Sequence, residues 1–451
     1  MRELEKLAEF IVNFNLDNAY ENVIETTKIC VLDSFAAAVG ASKDELVSSI
    51  INEYKTYYPN ENQVEIWGRS LKVPVLQGIF LNALMGHRLE LDDVHTKSKT
   101  HIGTVVVPTT LCLGEYLGSS GKEILEAIIC GYETMARIGM GFGVSGHRNK
   151  GWHVTSTAGT FGSAAVASKL LKLNLNKTSN ALGMAGTQSF GLWAFLEESA
   201  SSKILHPARA AQSGAEAAIL AKSGMTGPVN ILDAKDGGLF KAMSDGYDLS
   251  LVTKDLGREF EILRVDNKPY PCCRSTHCTI DSALYLKNNY PIENNEISEI
   301  IVETYLVGYK QCGLTEGSKN PVTPTDAKFS TPYTVATALI YGNVTLDNFK
   351  EEKIKDKRVQ DLLKKVTVIP SGEFTDNYPE HWGCRTKIRM NNGEEYEAEV
   401  RDALGSTNNP VSKKEIQNKV VPLLNVGYEE SVYEIIDRIL NIEKFDSILF
   451  K

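Results

Sequence analysis

The stretch from His87 to Gly103 concentrates side chains that can transfer protons or bind ions. It reads HRLELDDVHTKSKTHIG and contains three histidines and three carboxylates. Histidine titrates near neutral pH, and a neighbouring carboxylate can orient its ring. These residue types suit either a metal site or an acid–base site. A third interpretation is structural, because Asp92 and Asp93 follow an apolar run, where aspartate commonly caps a helix or turn.

Histidines and cations recur in three further stretches, which read GHRNKGWHVTSTAG, SSKILHPARAA and KPYPCCRSTHCTID. Of the eight histidines in the chain, seven lie in or beside these stretches and the first one: His87, His95, His101, His147, His153, His206 and His277. This concentration favours one shared site over histidines scattered through a core. We therefore expect the four stretches to meet.

The histidine and cysteine spacings do not match the common metal-binding motifs. The chain has no HExxH sequence, and the cluster CCRSTHC lacks the paired cysteines of zinc and iron–sulfur sites. We therefore expect no metal. Two alternatives of another class stay open, a non-catalytic carboxylate-binding protein and a metal-dependent hydrolase. The hydrolase would use four ligands, Asp92, Asp93, His95 and His101.

Two of the stretches place titratable residues just before a predicted helix. Lys203 precedes the helix that starts near Pro207, and His153 precedes a helix whose first turn carries the hydroxyl of Thr155. The free N–H groups and the dipole at a helix N-terminus favour a negatively charged ligand. Several such ends converging would suit acid–base chemistry on a small polycarboxylate.

The hydrophobic patterns divide the chain into three parts. Residues 1–264 have helical periodicity, residues 265–402 mix short alternating runs with helices, and residues 403–451 return to helical periodicity. In the middle part, RTKIRMNNGEEYEAEV has two alternating runs around Asn-Asn-Gly, which is typical of a β-hairpin. The predicted fold is mainly α, with a large helical domain built from both chain ends and a smaller α/β lid domain inserted between them.

The composition is that of an ordinary globular protein of 451 residues. Its net charge of -9 argues against nucleic-acid binding but not against an anionic substrate, because local cations can outweigh the total charge. The N-terminal segment MRELEKLAEFIVNFN lacks the apolar core of a signal peptide, and no apolar run reaches the length of a membrane span. We therefore expect a cytoplasmic protein with reduced cysteines and no membrane partner.

Several segments in a fixed order make the chain resemble the MmgE/PrpD family. They are LNALMGHRLELDDVH, HIGTVVVPTTLCLGE, GWHVTSTAGTFGSAAVASKLLKL, GTQSFGL, KILHPARAAQSGAEAAILAKSGMTGPVNIL, KPYPCCRSTHCTID and AKFSTPYTVATAL. Members include 2-methylcitrate dehydratase, cis-aconitate decarboxylase and iminodisuccinate epimerase. The resemblance implies a helical domain with an inserted lid, a homodimer, an active site between the two domains and no metal or organic cofactor.

The resemblance also implies which side chains form the site. The catalytic residues would be Lys203, His277, His101, His153 and Asp93. Lys203 and His277 would be the acid–base pair, His101 and His153 would bind carboxylates or deliver a second proton, and Asp93 would tune a neighbouring base. Substrate-binding residues would be Lys268, Arg274 and Thr155.

The resemblance leaves dehydration, decarboxylation and epimerisation of a small di- or tricarboxylate open. All three make or quench a carbanion next to a carboxylate. Decarboxylase members carry a tyrosine shortly before the AKFS segment, but this chain reads TEGSKNPVTPTDAKFS there. A replacement hydroxyl would have to come from another residue, such as Tyr305, Tyr309 or Tyr333.

Overall fold

The computed structural model describes residues 1–57 and 63–447. Its first part is a layered set of helices. Their bounds are Glu3–Asn13, Glu21–Ala41, Glu45–Tyr57, Val75–Arg88, Gly103–Leu117, Gly121–Gly141, Val144–Asn149, Val154–Leu170, Leu175–Thr187, Leu205–Lys222 and Leu239–Met243. Within the described residues, no helix is both long and apolar enough to cross a membrane.

Small residues hold the two central helices close together. The helices Val154–Leu170 and Leu205–Lys222 are rich in alanine and glycine, and most of their residues are buried. A Cβ added at Gly159 would lie 3.0 Å from the Cβ of Ala210, and one added at Gly214 would collide with the carbonyl oxygen of Thr160. Because both helices begin beside a residue of the predicted site, this close packing fixes where those residues lie.

The C-terminal helices return to the helical part. Lys413–Leu424 and Val432–Leu440 bury apolar side chains in the same hydrophobic cluster as residues 4–265. This arrangement confirms the predicted fold class, a helical domain built from both chain ends. The exact boundaries at 264 and 402 stay a prediction, and the last four residues of the predicted segment 403–451 lie outside the described residues.

The middle part contains a four-stranded sheet covered by helices. The strand order is Val366–Pro370, Ile297–Thr304, Cys384–Met390 and Glu395–Val400. The first pair is parallel and the other two pairs are antiparallel, with Ile300 opposite Val366 and Ile388. The last two strands form the hairpin predicted around Asn-Asn-Gly. The helices are His277–Asn289, Leu306–Cys312, Glu316–Lys319, Pro324–Lys328, Thr331–Tyr341, Glu351–Ile354, Lys357–Leu363 and Gly372–Asp376.

Short strands join the helical part to the lid. Val94–His95 pairs antiparallel with Val265–Asp266, so the stretch after the Val75–Arg88 helix lies against the segment that enters the lid. A second short pair, Val64–Glu65 with Lys72–Val73, lies before that helix. The Val94 pairing brings the first and fourth histidine-containing stretches together, although they are far apart in sequence.

Candidate active site

All four histidine-containing stretches contribute to one cavity between the helical part and the lid. The space between the lining atoms is about 590 Å³, with its open mouth included. Cationic, histidine and aromatic side chains dominate its wall. Its titratable and aromatic lining residues are Glu90, Lys99, His101, His147, Arg148, Trp152, His153, Trp193, Lys203, Lys268, Cys273, Arg274, Phe329 and Trp382.

His101 presents a basic nitrogen to this cavity. Its Nδ1–H donates to the backbone oxygen of Asp93 at 2.9 Å, and the same nitrogen lies 3.2 Å from Oδ2 of Asp92. Nε2 has no hydrogen-bond partner among the described residues and therefore keeps its lone pair. Burial lowers the pKa of His101 to about 4, so the ring is neutral at physiological pH. A neutral, oriented imidazole on a cavity wall can act as a general base.

Asp92 is the carboxylate whose side chain contacts His87 and His101. Its Oδ2 accepts a hydrogen bond from Nδ1 of His87 at 2.6 Å, and its Oδ1 lies 3.9 Å from Nζ of Lys268. Burial alone would raise the pKa of Asp92, but His87, His101 and Lys268 hold it well below its usual range. Asp92 is therefore a buried anion next to His101.

Asp93 has a different set of contacts. Its Oδ1 accepts the N–H of Gly103 at 2.9 Å, at the start of the Gly103–Leu117 helix, and its Oδ2 accepts the hydroxyl of Tyr132 at 2.6 Å. Burial raises the pKa of Asp93 to about 7. Asp93 thus contacts His101 through its backbone oxygen, while its side chain caps the helix. This matches the structural interpretation of an aspartate after an apolar run.

His153 directly precedes the helix Val154–Leu170 and lines the cavity. Its Nδ1 lies 2.9 Å from Nδ1 of His206, so one ring donates and the other accepts. Burial lowers the pKa of His153 well below its ordinary value, and His206 and Lys203 lower it further. Thr155 is not among the lining residues, and its Oγ1 accepts the backbone N–H of His101 at 3.1 Å. Thr155 therefore positions His101.

Lys203 and Lys268 share one buried carboxylate, Glu90. Lys203 lies in the turn before the Leu205–Lys222 helix and donates from Nζ to Oε1 of Glu90. Nζ of Lys268 lies 3.5 Å from Oε2 of Glu90 and donates to its backbone oxygen at 3.1 Å. Although burial raises the pKa of Glu90, the two lysines hold it well below its usual range. The backbone of Glu90 adopts the left-handed region, with φ 58°, which is strained for a residue with a side chain.

His277 lies behind Arg274 and is not among the cavity-lining residues. Nη1 of Arg274 donates to Nδ1 of His277 at 2.9 Å, and Nε2–H of His277 donates to the backbone oxygen of Cys272 at 3.3 Å. Arg274 lines the cavity, but its Nε donates to Oδ2 of Asp266 at 3.0 Å. Both ring nitrogens of His277 are therefore engaged within the lid.

The four ligands of the alternative metal site do not converge. The ring of His95 lies 2.7 Å from Oγ of Ser98 and 3.1 Å from Oε2 of Glu261, so both of its nitrogens have other partners. A different group does converge, since the nearest ligand atoms of His87, Asp92 and His101 lie within 4.8 Å of one another. In this group the Nδ1–H of His87 donates to Oδ2 of Asp92, while Nε2 of His87 and Oδ1 of Asp92 have no hydrogen-bond partner among the described residues.

Of the three tyrosines named as substitutes for the missing hydroxyl, Tyr305 hydrogen-bonds to a residue of the cavity wall. Its hydroxyl donates to Oγ of Ser275 at 2.7 Å, and Ser275 lines the cavity. The hydroxyl of Tyr333 donates to the backbone oxygen of Asn348 in the lid, and Tyr309 is half-buried and is not among the lining residues. A tyrosine could therefore act on the cavity through Ser275.

Sequence reasoning gave no role to three charged residues of the cavity, Glu90, Lys99 and Arg148. Glu90 and Lys99 lie inside the first stretch and Arg148 inside the second, so composition had pointed to the right segments. A sequence signal for Glu90 was its position between His87 and Asp92. Its partner Lys203 is 113 residues away, and no local spacing shows that pair.

Comparison with known proteins covers almost the whole chain. The family model for the MmgE/PrpD N-terminal domain matches residues 5–252, and the model for the C-terminal domain matches residues 270–442. A cis-aconitate decarboxylase-like protein, oryM, of Aspergillus oryzae is 27% identical over 92% of this chain and 89% of its own length. Cis-aconitate decarboxylase of Aspergillus terreus is 25% identical over 98% and 94% of the two chains. The mitochondrial 2-methylcitrate dehydratase of Yarrowia lipolytica is 22% identical over 83% and 73%.

Proposed function

Because the chain belongs to the MmgE/PrpD family, we propose that it is a lyase of the dehydratase or decarboxylase type that acts on a small di- or tricarboxylate. The names of its relatives support this class of reaction. The observation that carries the proposal is the pairing, on one cavity wall, of a neutral histidine with two lysines. His101 has a free basic nitrogen, and Lys203 and Lys268 can bind a carboxylate.

In this proposal His101 is the base and Lys203 the acid. Nε2 of His101 removes a proton from the carbon next to a carboxylate, and the electron pair spreads into that carboxylate. Lys203 and Lys268 stabilise the added charge as it develops. In dehydration, the electron pair then forms the alkene while a hydroxide leaves. A proton from the Lys203 ammonium converts that hydroxide to water.

In decarboxylation, the electron pair comes from the carbon–carbon bond that releases CO₂. Lys203 and Lys268 hold the carboxylate that stays, and a proton donor on the cavity wall then protonates the carbon. His153 is a candidate for this donor, since its ring lines the cavity and its tautomer can change by proton exchange with His206. Each correctly placed acid or base contributes roughly 10²–10⁴-fold to the rate.

The acid–base pair expected from the family resemblance was Lys203 with His277. With both nitrogens of His277 engaged by Arg274 and Cys272, we assign it instead the role of holding Arg274 on the cavity wall. A direct role in proton transfer would require the lid segment around Cys272 to move. The proposed chemistry uses only side chains and needs no cofactor.

A proton-NMR assay in D₂O tests the proposed function. Wild-type protein, Lys203→Ala and the control Lys222→Ala are incubated with 2-methylcitrate, citrate, cis-aconitate and iminodisuccinate. Lys222 is an exposed residue at the far end of the helix that Lys203 precedes. We expect substrate signals to be lost with formation of a new alkene in the wild type and the control, and at least 10²-fold more slowly in Lys203→Ala. Normal turnover by Lys203→Ala would remove Lys203 from the mechanism.

Two other outcomes of the same assay favour other functions. Deuterium entering next to a carboxylate without alkene formation would indicate an epimerase. No change in any acid would leave a carboxylate-binding protein or a metal-dependent enzyme. The group formed by His87, Asp92 and His101 is the observation that favours the last of these. Stoichiometric metal retained after dialysis, with activity lost on chelation, would support it.

We also propose a homodimer, as the family resemblance implies. Light scattering coupled to size-exclusion chromatography tests this directly. A mass of one chain, 49.7 kDa, at all concentrations would contradict it.

A further inference from the structure

Two cations on the cavity wall lack the carboxylate partners that their neighbours have. Lys203 contacts Glu90, Lys268 lies near Glu90 and Asp92, and Arg274 contacts Asp266. No carboxylate within residues 1–57 and 63–447 lies within ion-pairing distance, 4.0 Å, of Lys99 or Arg148. The wall therefore has one section whose cationic side chains pair with carboxylates and one section whose cationic side chains do not.

The residues of the section without carboxylates, Lys99 and Arg148, are half-buried. Nζ of Lys99 is shielded from solvent and has no hydrogen-bond partner among the described residues, and the same is true of Nε of Arg148. Lys99 is also held in the left-handed backbone region, with φ 57°, at the loop position that directs it to the cavity. Shielding a cationic nitrogen without a partner is unfavourable, so such a group either loses its proton or gains an anionic ligand.

Aromatic rings fix the two cations in place. Nζ of Lys99 lies 4.0 Å from the centre of the Tyr378 ring and 5.9 Å from that of Trp382. The guanidinium of Arg148 lies 4.4 Å from the centre of the Trp193 ring. A cation binds over the face of such a ring, and its N–H groups can still donate to other acceptors. Trp193 and Trp382 line the cavity, so the free donors and the apolar walls border the same space.

We propose that Lys99 and Arg148 form a second carboxylate site, which binds the substrate carboxylate that is not next to the reacting carbon. This inference rests on the proposed function, in which Lys203 and Lys268 bind the carboxylate at the reacting carbon. It makes two separated carboxylates a requirement for tight binding. Monocarboxylates of similar size would occupy only the Lys203–Lys268 end and bind weakly.

The chemistry of the two donors supports an anion rather than a neutral ligand. A guanidinium and an ammonium together offer several N–H donors and no acceptor, which suits the oxygens of a carboxylate. Burial lowers the pKa of Lys99 well below its ordinary value, and the charge of Arg148 lowers it further. The Cys273 thiolate opposes this lowering, and a bound carboxylate would oppose it further, because it adds a negative charge beside Lys99.

Equilibrium binding of unreactive acids tests the proposal without using turnover. The probes are tricarballylate, succinate and the monocarboxylate butyrate, measured by isothermal titration calorimetry on wild type, Lys99→Met, Arg148→Met and Lys150→Met. Lys150 is the matched control, since it lies two residues from Arg148 but pairs with Asp245 outside the lining. We expect the Kd of tricarballylate and succinate to rise about 10–100-fold in Lys99→Met and Arg148→Met and to stay unchanged in Lys150→Met. Butyrate binding should be the same in all four proteins.

The same binding measurements can overturn the proposal. If tricarballylate binds to wild type no more tightly than butyrate, or binds equally well to Lys99→Met, the cavity has no second carboxylate site there. If Lys99→Met keeps the wild-type Kd but loses turnover, Lys99 acts in the chemistry instead. Thermal unfolding controls for folding, since replacing an unpartnered half-buried cation with methionine should leave the Tm unchanged or raise it.

The binding assay separates this proposal from the proposed function. Binding of polycarboxylates that depends on Lys99, with no turnover of any acid, would support the second site and contradict the lyase. Turnover with binding that does not depend on Lys99 or Arg148 would support the lyase and contradict the second site.

Discussion

Oδ2 of Asp92 lies 3.2 Å from Nδ1 of His101, while the side chain of the neighbouring Asp93 faces the opposite way, to the start of the next helix. The two adjacent carboxylates therefore have different surroundings. Asp92 is surrounded by His87, His101 and Lys268, which keep it ionised. Among the residues that the structure describes, the donors to the Asp93 carboxyl are uncharged, Gly103 and Tyr132, and burial raises the pKa of Asp93 to about 7. Only Asp92 can support a positive charge on His101 when that ring takes a proton.

The first prediction is that Asp92→Asn lowers kcat by roughly 10²-fold, with a smaller effect on KM. The amide keeps the shape of the carboxylate but cannot stabilise the protonated form of His101. The measurement is a kinetic comparison of the variant and wild type on the substrate found by the NMR assay. The base would have to be another residue if the variant retained full kcat.

The second prediction concerns Asp93→Asn, which is the matched variant one position along the chain. The backbone oxygen that accepts from His101 is unchanged, so we expect kcat to stay within about threefold of wild type, because removing an interaction that the transition state does not use leaves the rate nearly unchanged. Asp93 was expected from the family resemblance to tune a base. A loss as large as that of Asp92→Asn would support that role and would contradict the helix-capping role.

Asp93→Asn should also change how stability depends on pH. Since the pKa of Asp93 is about 7 in the folded state, against 3.8 in the unfolded chain, the folded state keeps this proton at pH values where the unfolded state has lost it. Wild-type stability should therefore fall as pH rises through this window, by up to about 4 kcal/mol. Asp93→Asn has no carboxyl group to titrate at this position, so its free energy of unfolding should not fall for this reason. Urea unfolding at several pH values should therefore show that the free energy of unfolding of the variant, relative to wild type, increases from acid pH to above neutrality. Glu133, whose pKa is also raised to about 7 by burial, continues to titrate in both proteins.

A third prediction follows from the position of Glu90 between Lys203 and Lys268. Glu90→Gln leaves two buried lysines with less compensation, so the free energy of unfolding should fall by about 3 kcal/mol. A polycarboxylate should replace the lost charge, and tricarballylate should therefore raise the Tm more in the variant than in wild type. Differential scanning calorimetry with and without the ligand measures both effects.

The control for Glu90→Gln is Glu216→Gln, an exposed change on the Leu205–Lys222 helix. Glu216→Gln should alter neither the free energy of unfolding nor the rise in Tm that tricarballylate causes. Equal ligand shifts in Glu90→Gln and wild type would show that Glu90 does not compete with a bound anion for the two lysines.

Much of the fold could be predicted because local patterns determine it. The alternating runs around Asn391, Asn392 and Gly393 form a hairpin, and the alanine- and glycine-rich segment after His153 forms a close-packed central helix. These features depend on turn residues and side-chain size, which the sequence shows directly. The four histidine-containing stretches also meet at one cavity, as their shared composition indicated.

The contacts within the site could not be predicted because they depend on backbone direction over one or two residues. Glu90 adopts a positive φ, which turns its side chain toward Lys203 and Lys268, and the next turn directs Asp92 and Asp93 to different partners. The spacing of residues in the sequence shows neither the φ of Glu90 nor the direction of the next turn. His277 shows the same limit, since its motif matches the family but Arg274 and Cys272 occupy its nitrogens.

The last prediction is that polycarboxylate binding takes up protons at neutral pH, and it rests on the proposed second carboxylate site. Lys99 faces Arg148, Cys273 and the rings of Tyr378 and Trp382, and burial with the charge of Arg148 lowers its pKa in the free protein. A carboxylate bound beside Lys99 raises that pKa again, so Lys99 gains a proton and the affinity falls as pH rises. Calorimetry in buffers of different ionisation enthalpy should detect a net proton uptake on ligand binding in wild type.

Lys99→Met should abolish most of this uptake, and Lys150→Met should not. Cys273 needs its own control, because its pKa is lowered to about 7, first by a hydrogen bond with Cys312, and it lines the same cavity. Cys273→Ser should therefore keep the proton uptake if Lys99 is its source. Uptake that disappears in Cys273→Ser but persists in Lys99→Met would assign the titration to the thiol, and Lys99 would then have no charge change on binding.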